Sequence, residues 1–185
     1  MRQLASIAIL ISGLAASLGP AQAAAFQRVG VNTVHGLFGG FILWLSADSE
    51  SFMQSIGPSR KKPGFFETRY RFQLTSNEVE ALEAILATYP PWHTDCTDRS
   101  LATDQSLDRI WMQDASGLKA ACKWNGTNRP YPNFDAVIAF ARKLARSHAT
   151  SPYIVERPYH RVAEKDWPPP GFPTYRQIVD VLKRP

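Results

Sequence analysis

One short segment of the sequence concentrates side chains that could carry out chemistry. His93, Asp95, Cys96 and Asp98 follow one another closely. A histidine beside carboxylates can act as a general base or a metal ligand, and a neighbouring histidine can activate a cysteine as a nucleophile. Residues that are adjacent on a loop need not converge, however, and Asp and Thr side chains commonly bond to their own backbone. The sequence therefore favours a structural loop, with a small hydrolase using His93 and Asp95 or Asp98 as the alternative.

The N-terminus has the pattern of an export signal. Arg2 precedes an apolar run over residues 4–18, Gly19-Pro20 ends the run, and Ala21-Gln22-Ala23 supplies the small residues of a cleavage site. The run is short for the hydrocarbon core of about 30 Å, although a retained N-terminal anchor is the alternative. We predict a signal peptide over residues 1–23, cleaved near Ala23, and a periplasmic or secreted protein whose mature chain has no membrane span.

Cys96 and Cys122 are the two cysteines of the sequence. An isolated pair in an oxidising compartment is usually joined, and closing the loop between them would stabilise the fold by about 3–4 kcal/mol. The sequence therefore predicts a disulfide between them. This bond would also exclude a nucleophilic cysteine, which requires a reduced thiol.

The charge distribution suggests an anionic partner. The formal net charge is +5, and the basic residues are scattered along the sequence. Such an excess suits an anionic envelope surface or an acidic envelope protein, whereas the scatter and the compartment argue against nucleic acid. Arg60, Lys61 and Lys62 are the candidate contacts, unless they form only a solvated loop tip. Trp124 and Tyr131 are candidates for an aromatic binding surface, with core packing as the alternative.

No sequence motif indicates a metal or a cofactor. His35, His148 and His160 are dispersed, outside any His-Glu-x-x-His or Cys-x-x-Cys arrangement. The glycine-rich segment 36–40 precedes a strand instead of a helix, and so lacks the helix dipole that holds phosphate. We expect neither metal nor cofactor.

The hydrophobic pattern predicts an α+β fold. Strands are expected over residues 40–46, 51–56 and 67–74, and a hairpin over 108–124. Thr75 and Glu78 predict a capping box that starts one helix, and Asn133 is the expected N-cap of a second. Tight connections favour antiparallel pairing, with the two amphipathic helices packed on one face of the sheet.

Composition changes after residue 150. Residues 24–150 are expected to form a single α+β domain, and residues 151–185 a proline-rich extended tail packed on it. Thr174 and Gln177 predict a further capping box, which opens a short terminal helix.

The region from Thr68 to Ala145 resembles small exported bacterial domains of unknown function. The residues that carry this resemblance are Leu74-Thr75, Glu78, Leu82, Cys96-Thr97-Asp98, Ile110-Trp111-Met112 and the helix from Phe134. The resemblance covers under half of the chain. It implies an α+β fold and an uncharacterised role in the bacterial envelope, and it implies no active site.

These observations favour a non-enzymatic binding or interaction module, for example an inhibitor-like or immunity-like partner of an envelope enzyme. A compact, disulfide-linked domain without a catalytic motif leads to this expectation. The hydrolase and a structural envelope component are the alternatives.

Overall fold

A computed structural model describes residues 25–35, 37–59, 61–88, 107–124, 131–159 and 168–183. These residues form an antiparallel sheet and helices, consistent with the predicted α+β class. The elements, in chain order, are β1 (Arg28–Asn32), β2 (Gly40–Ser46), β3 (Ser51–Pro58), β4 (Phe65–Phe72), α1 (Ser76–Ala87), β5 (Leu107–Asp114), β6 (Gly117–Trp124), α2 (Pro132–Ser147), β7 (Pro152–Pro158) and α3 (Tyr175–Leu182).

The sheet has the strand order β6-β5-β1-β2-β3-β4-β7. Strands β1 to β4 form consecutive hairpins, and the β5–β6 hairpin joins them through β1, where Val31 pairs with both Leu43 and Ile110. Strand β7 extends the sheet at β4 with an irregular register around Arg69. The sequence-based expectation of an extended tail after residue 150 therefore missed a strand, because the prolines at both ends of β7 concealed its pattern.

Several local predictions are confirmed. Strand β2 has the expected bounds. The Thr75 side chain accepts a hydrogen bond from the Glu78 N–H, and the Glu78 carboxylate accepts one from the Thr75 N–H. These two bonds complete the predicted capping box of α1. Thr174 and Gln177 do the same for α3. Capping boxes can be predicted from sequence because both partners lie within one turn of the helix terminus.

The predicted N-cap of α2 is wrong. The helix begins at Pro132, two residues before the start that an N-cap at Asn133 implies, and its N-cap is Tyr131, which makes no side-chain capping bond. Proline suits the first helical position because its fixed φ is helical and no N–H is lost there. Asn133 instead donates its side-chain N–H to the carbonyl oxygen of Thr88 at 2.6 Å, joining the start of α2 to the end of α1.

Alternate residues of β2, β3, β5 and β6 supply two separate cores, because successive side chains point to opposite faces. On β2, Leu43 and Leu45 pack with α1 and α2 on what we call the helical face. The two predicted amphipathic helices thus cover one face, as expected. The other buried residues of this face include Phe26, Val29, Val31, Met53, Leu82, Ile110, Phe134, Val137, Ile138, Ala141 and Leu144.

The opposite face is covered by residues 168–183, which we call the C-terminal strap. Phe172 and Ile178 of the strap pack on Trp44 and Trp111. The Trp111 indole lies against β1 at Gly30, where a Cβ atom would come within 2.0–2.2 Å of the ring. Glycine is therefore required at this strand position to let the indole lie flat.

Among the described residues, no helix is long and apolar enough to cross a membrane.

Candidate functional site

Several residues singled out from the sequence lie outside the described part of the chain. These are His93, Asp95, Cys96, Asp98, Arg60 and His160, and the predicted signal peptide with its cleavage site near Ala23 lies outside it as well. Cys122 is described, and it is buried on β6. Since only one of the two cysteines is described, the structure gives no support to the predicted Cys96–Cys122 disulfide, which stays a prediction.

The aromatic candidates Trp124 and Tyr131 are half-buried at the two ends of the segment that links β6 to α2. Tyr131 packs against the edge of the helical-face core. The Lys123 ammonium lies 5.9 Å from the centre of the Tyr131 ring and 2.7 Å from the Asp135 carboxylate. These contacts place Tyr131 in packing around the start of α2.

The remaining basic candidates, Lys61 and Lys62, are exposed in the loop that joins β3 to β4. This loop lies at the end of the sheet where β1 finishes and β2 begins, because Gly40 pairs with Ile56 on the neighbouring strand. The turn over residues 33–39 is at the same end. We call this end the basic end.

A tightly held hairpin tip projects from the basic end. His35 and Gly39 exchange backbone hydrogen bonds of 2.8 and 2.9 Å, and Leu37 donates its N–H to His35 Nδ1 at 3.0 Å. Gly39 has φ +77°, and a Cβ atom there would come within 2.1 Å of the Ile56 carbonyl oxygen. Glycine thus allows the tip to lie directly against β3.

This tip presents two neighbouring apolar side chains to solvent. Leu37 is 59% exposed and Phe38 is 75% exposed. The Phe38 ring lies 4.8 Å from the His35 ring, so it is supported from one side while its other side is open. Two adjacent exposed apolar side chains at a projecting turn are typical of an interaction surface.

Beside the tip, an open groove of about 480 Å³ runs between α2 and the adjoining ends of β2 and β3. Gly40 forms part of its lining, two positions after Phe38. The apolar floor includes Phe41 and Met53, and the helix contributes Arg142 and Arg146. The groove therefore combines an apolar floor with a cationic wall.

Helical periodicity explains this cationic wall. Ala141 and Leu144 point into the helical-face core, while Arg142 and Arg146 lie four residues apart on the exposed side of α2. Ala145 and Ala149 also line the groove, and their small side chains leave the groove open. Two guanidinium groups one turn apart can together hold an anionic oxygen cluster such as a phosphate.

Charges differ between the two ends of the sheet. The described parts of the loops at the basic end contain Lys61 and Lys62 and no Asp or Glu, whereas the loop after β2 at the opposite end contains Asp48 and Glu50. Glu156 of β7 accepts a hydrogen bond from Ser59 of the β3–β4 loop at 3.2 Å. The exposed loop residues are therefore cationic at the basic end and anionic after β2.

His148 has a structural role at the junction of α1, α2 and β4. Its ring stacks on Phe72 at 4.2 Å, and its Nε2 lies 3.0 Å from Glu78 Oε1. Partial burial opposes ionisation of Glu78, but hydrogen bonds from Thr75 and from His148 outweigh it, and the pKa of Glu78 falls below its ordinary value. His148 is also the C-cap of α2.

In the ranges that the structure describes, no three His, Cys, Asp or Glu side chains gather in an arrangement that could hold a metal ion. Comparison with protein families, curated proteins and solved structures finds no match for this chain.

Sequence reasoning identified the lysines of the basic end but missed Leu37 and Phe38. The glycines of segment 36–40 predict a bend before a strand and exclude a phosphate-binding loop, but they do not by themselves indicate an exposed apolar tip. Its useful signal is an apolar pair with glycine on both sides, Gly36-Leu37-Phe38-Gly39-Gly40. Glycines make a tight turn, and the side chains between them then project away from the sheet.

Proposed function

We propose that this chain is an exported, non-enzymatic binding protein that docks on an anionic lipid surface of the bacterial envelope through its basic end. The observation that supports the proposal is the exposed Leu37–Phe38 tip, which lies at the same end of the sheet as Lys61 and Lys62 and beside a groove walled by Arg142 and Arg146. Apolar insertion combined with cation attraction is how peripheral proteins hold charged bilayers.

The two kinds of contact supply energy of similar size. Burying a Leu or Phe side chain yields about 1.5–3 kcal/mol, reduced here because both side chains are already partly covered. Each Lys or Arg near an anionic surface adds about 1 kcal/mol. Binding therefore requires both parts, and it weakens as salt screens the cationic part.

The proposal also includes export of the protein and a disulfide between Cys96 and Cys122. The signal sequence and the isolated cysteine pair support a periplasmic or secreted location. Mass spectrometry of the native product should find cleavage near Ala23 and, without reduction, a cross-linked peptide pair containing Cys96 and Cys122. An intact leader with both thiols free would contradict this part.

Vesicle co-sedimentation tests the lipid proposal. The exported protein should bind vesicles of phosphatidylglycerol and phosphatidylcholine in low salt, and should bind pure phosphatidylcholine at least tenfold more weakly. Equal binding to both vesicle types, or none to either, would contradict it. Loss of the bound fraction in high salt is expected, because the cations are exposed.

Matched variants separate the two contributions. Leu37→Ser with Phe38→Ser removes the apolar tip, and Val155→Ser removes an exposed apolar residue on β7 as the control. Lys61→Ala with Lys62→Ala and Arg142→Ala with Arg146→Ala remove the cations. The matched control is Arg176→Ala with Lys183→Ala on the strap.

Each basic-end variant should weaken vesicle binding about tenfold or more, with an unchanged melting temperature, while the controls bind like the parent protein. If the strap variants weaken binding as much as the basic-end variants, net charge alone is responsible and the docking surface is wrong.

A further inference from the structure

A second site lies on the opposite face of the sheet, away from the helical face and its groove. Between the sheet and the C-terminal strap there is a cavity of about 50 Å³. Its walls are mostly apolar, with a small number of polar groups among them, which is the usual composition of a small-molecule site. The lining side chains that matter here are Asn32, Trp44, Gln54, Arg109, Trp111, Tyr175 and Ile178.

Gln54 supplies an acceptor to this cavity that has no partner. The residue is 1% exposed, and its Oε1 atom is buried without a hydrogen bond. Its Nε2 donates to the Glu67 carboxylate on the neighbouring strand. Since a carboxylate accepts hydrogen bonds, the amide nitrogen must face Glu67, and Oε1 must face away from it. A buried acceptor without a donor costs about as much as a lost hydrogen bond, which a ligand N–H would restore.

The surroundings hold Gln54 in this orientation. The Glu67 carboxylate also accepts hydrogen bonds from Arg157 and Arg69. The Arg69 Nη2 atom lies 3.1 Å from Glu67 Oε1. Both Glu67 and Arg69 are buried. A carboxylate fixed by two guanidinium groups cannot turn away from Gln54, and the amide is therefore preorganised.

Asn32 and Arg109 supply donors to the same cavity. Asn32 Oδ1 accepts the N–H of Val34 at 3.0 Å, which directs the Asn32 Nδ2 donor elsewhere. The Arg109 guanidinium lies 5.7 Å from the centre of the Tyr175 ring. None of the described residues that line the cavity is Asp or Glu, so they offer a cationic ligand no carboxylate to balance its charge beside Arg109.

We propose that this cavity binds the neutral, planar head of a primary carboxamide. The amide N–H donates to Gln54 Oε1, and the amide carbonyl accepts from Asn32 or Arg109, between the Trp44 and Trp111 indoles. The available space accommodates about three to five water-sized groups, which matches a carboxamide with one or two carbons attached. A carboxylate could direct one oxygen to Arg109 but would set the other against the Gln54 acceptor, and a ketone would leave that acceptor unpaired.

NMR titration of the full chain tests the proposal with acetamide, acetate and acetone. Acetamide should move the indole N–H resonances of Trp44 and Trp111 with saturation in the millimolar range, as expected for so small a ligand. Acetone and acetate should bind about tenfold more weakly. Equal shifts from all three solutes, or none from acetamide, would overturn the proposal. Trp124 on β6, which is not among the lining residues, is the internal reference.

Two variants locate the effect. Gln54→Leu removes the acceptor and should abolish the preference for acetamide over acetone. Because that change also withdraws a donor from Glu67, Ile178→Phe provides a second test, filling the cavity from the strap without touching the polar residues. Val155→Ser on the exposed β7 strand is the control. Acetamide binding that survives in Ile178→Phe would overturn the site, whereas its loss there and its retention in the control would support it.

Discussion

The helical face of the sheet is covered by α1, which follows β4 in the chain, and by α2, which follows β6. The other face is covered by the strap at residues 168–183. The helical-face core is a continuous set of apolar side chains. On that other face, Gln54, Glu67 and Arg69 are buried, and so are Trp44 and Trp111. The comparison suggests that the helical face mainly stabilises the fold, while the strap face accepts polar groups that cost stability and can recognise a ligand.

The largest effect is expected from truncating the helical-face core. Phe134→Ala removes a fully buried ring and should cost about 3–5 kcal/mol of unfolding free energy. Phe172→Ala in the strap should cost about 2 kcal/mol, because the strap can settle into the space. Urea denaturation of both variants measures the difference. An equal or larger loss for Phe172→Ala would show that the strap is as essential as the helices.

The buried ion cluster of the strap face should be nearly as sensitive. Glu67→Gln keeps the size of the side chain but leaves Arg69 buried without its carboxylate, and we expect a loss of about 3 kcal/mol. Glu156→Gln, an exposed acid on β7, should change stability by less than about 0.5 kcal/mol. If urea denaturation gave the same loss of unfolding free energy for Glu67→Gln and Glu156→Gln, the buried cluster would stabilise the fold no more than an exposed acid does.

The contact between β1 and Trp111 gives a smaller effect. Gly30→Ala forces the indole off the strand and should destabilise the protein by about 2 kcal/mol, with a changed near-ultraviolet circular dichroism signal. At Gly57 on β3 a Cβ atom meets nothing within 4 Å, so Gly57→Ala is the control. An unaltered Trp signal in Gly30→Ala would show that the indole does not lie on β1.

The smallest effect concerns the junction of α1 and α2 on the helical face. Glu78→Gln keeps a capping side chain but loses the charge opposite His148, and should cost about 0.5 kcal/mol near neutral pH. Because the pKa of Glu78 is lowered in the folded protein, its contribution is present above the ordinary glutamate pKa and is lost as the pH falls through the lowered value.

Thermal melts between neutral and acidic pH provide the measurement. The parent protein should lose this stability on the acid side, and Glu78→Gln should lose correspondingly less. Glu80→Gln, a change at an exposed acid on the same helix, is the control and should follow the parent. Parallel curves for Glu78→Gln and the parent would show that the Glu78 charge does not contribute to stability.

Features of the fold that depend on local sequence could be predicted, and features that depend on pairing between distant segments could not. Strand β2, the capping boxes at Thr75 and Thr174 and the two covering helices depend on local patterns, and each was predicted. The place of β1 between β2 and β5, and of β7 beside β4, depends on pairing between distant segments. Local patterns contain no information about such partners.

The candidate sites divide in the same way. Lys61 and Lys62 could be found as a run of charge, but the exposure of Phe38 depends on how the turn at residues 33–39 is held against β3. Gln54 lies in a strand that looks ordinary in sequence. Its isolation from any donor arises only when β4 and the strap assemble around it.

The distance in sequence between the strap and the tryptophans it covers has a consequence for local opening. Phe172 and Ile178 of the strap pack on Trp44 and Trp111, which belong to β2 and β5. Contacts between such distant segments carry a large loop-closure entropy, so the strap can detach while the hairpins stay paired. Release of the strap would uncover both indoles, and their fluorescence would then report the opening of this segment alone.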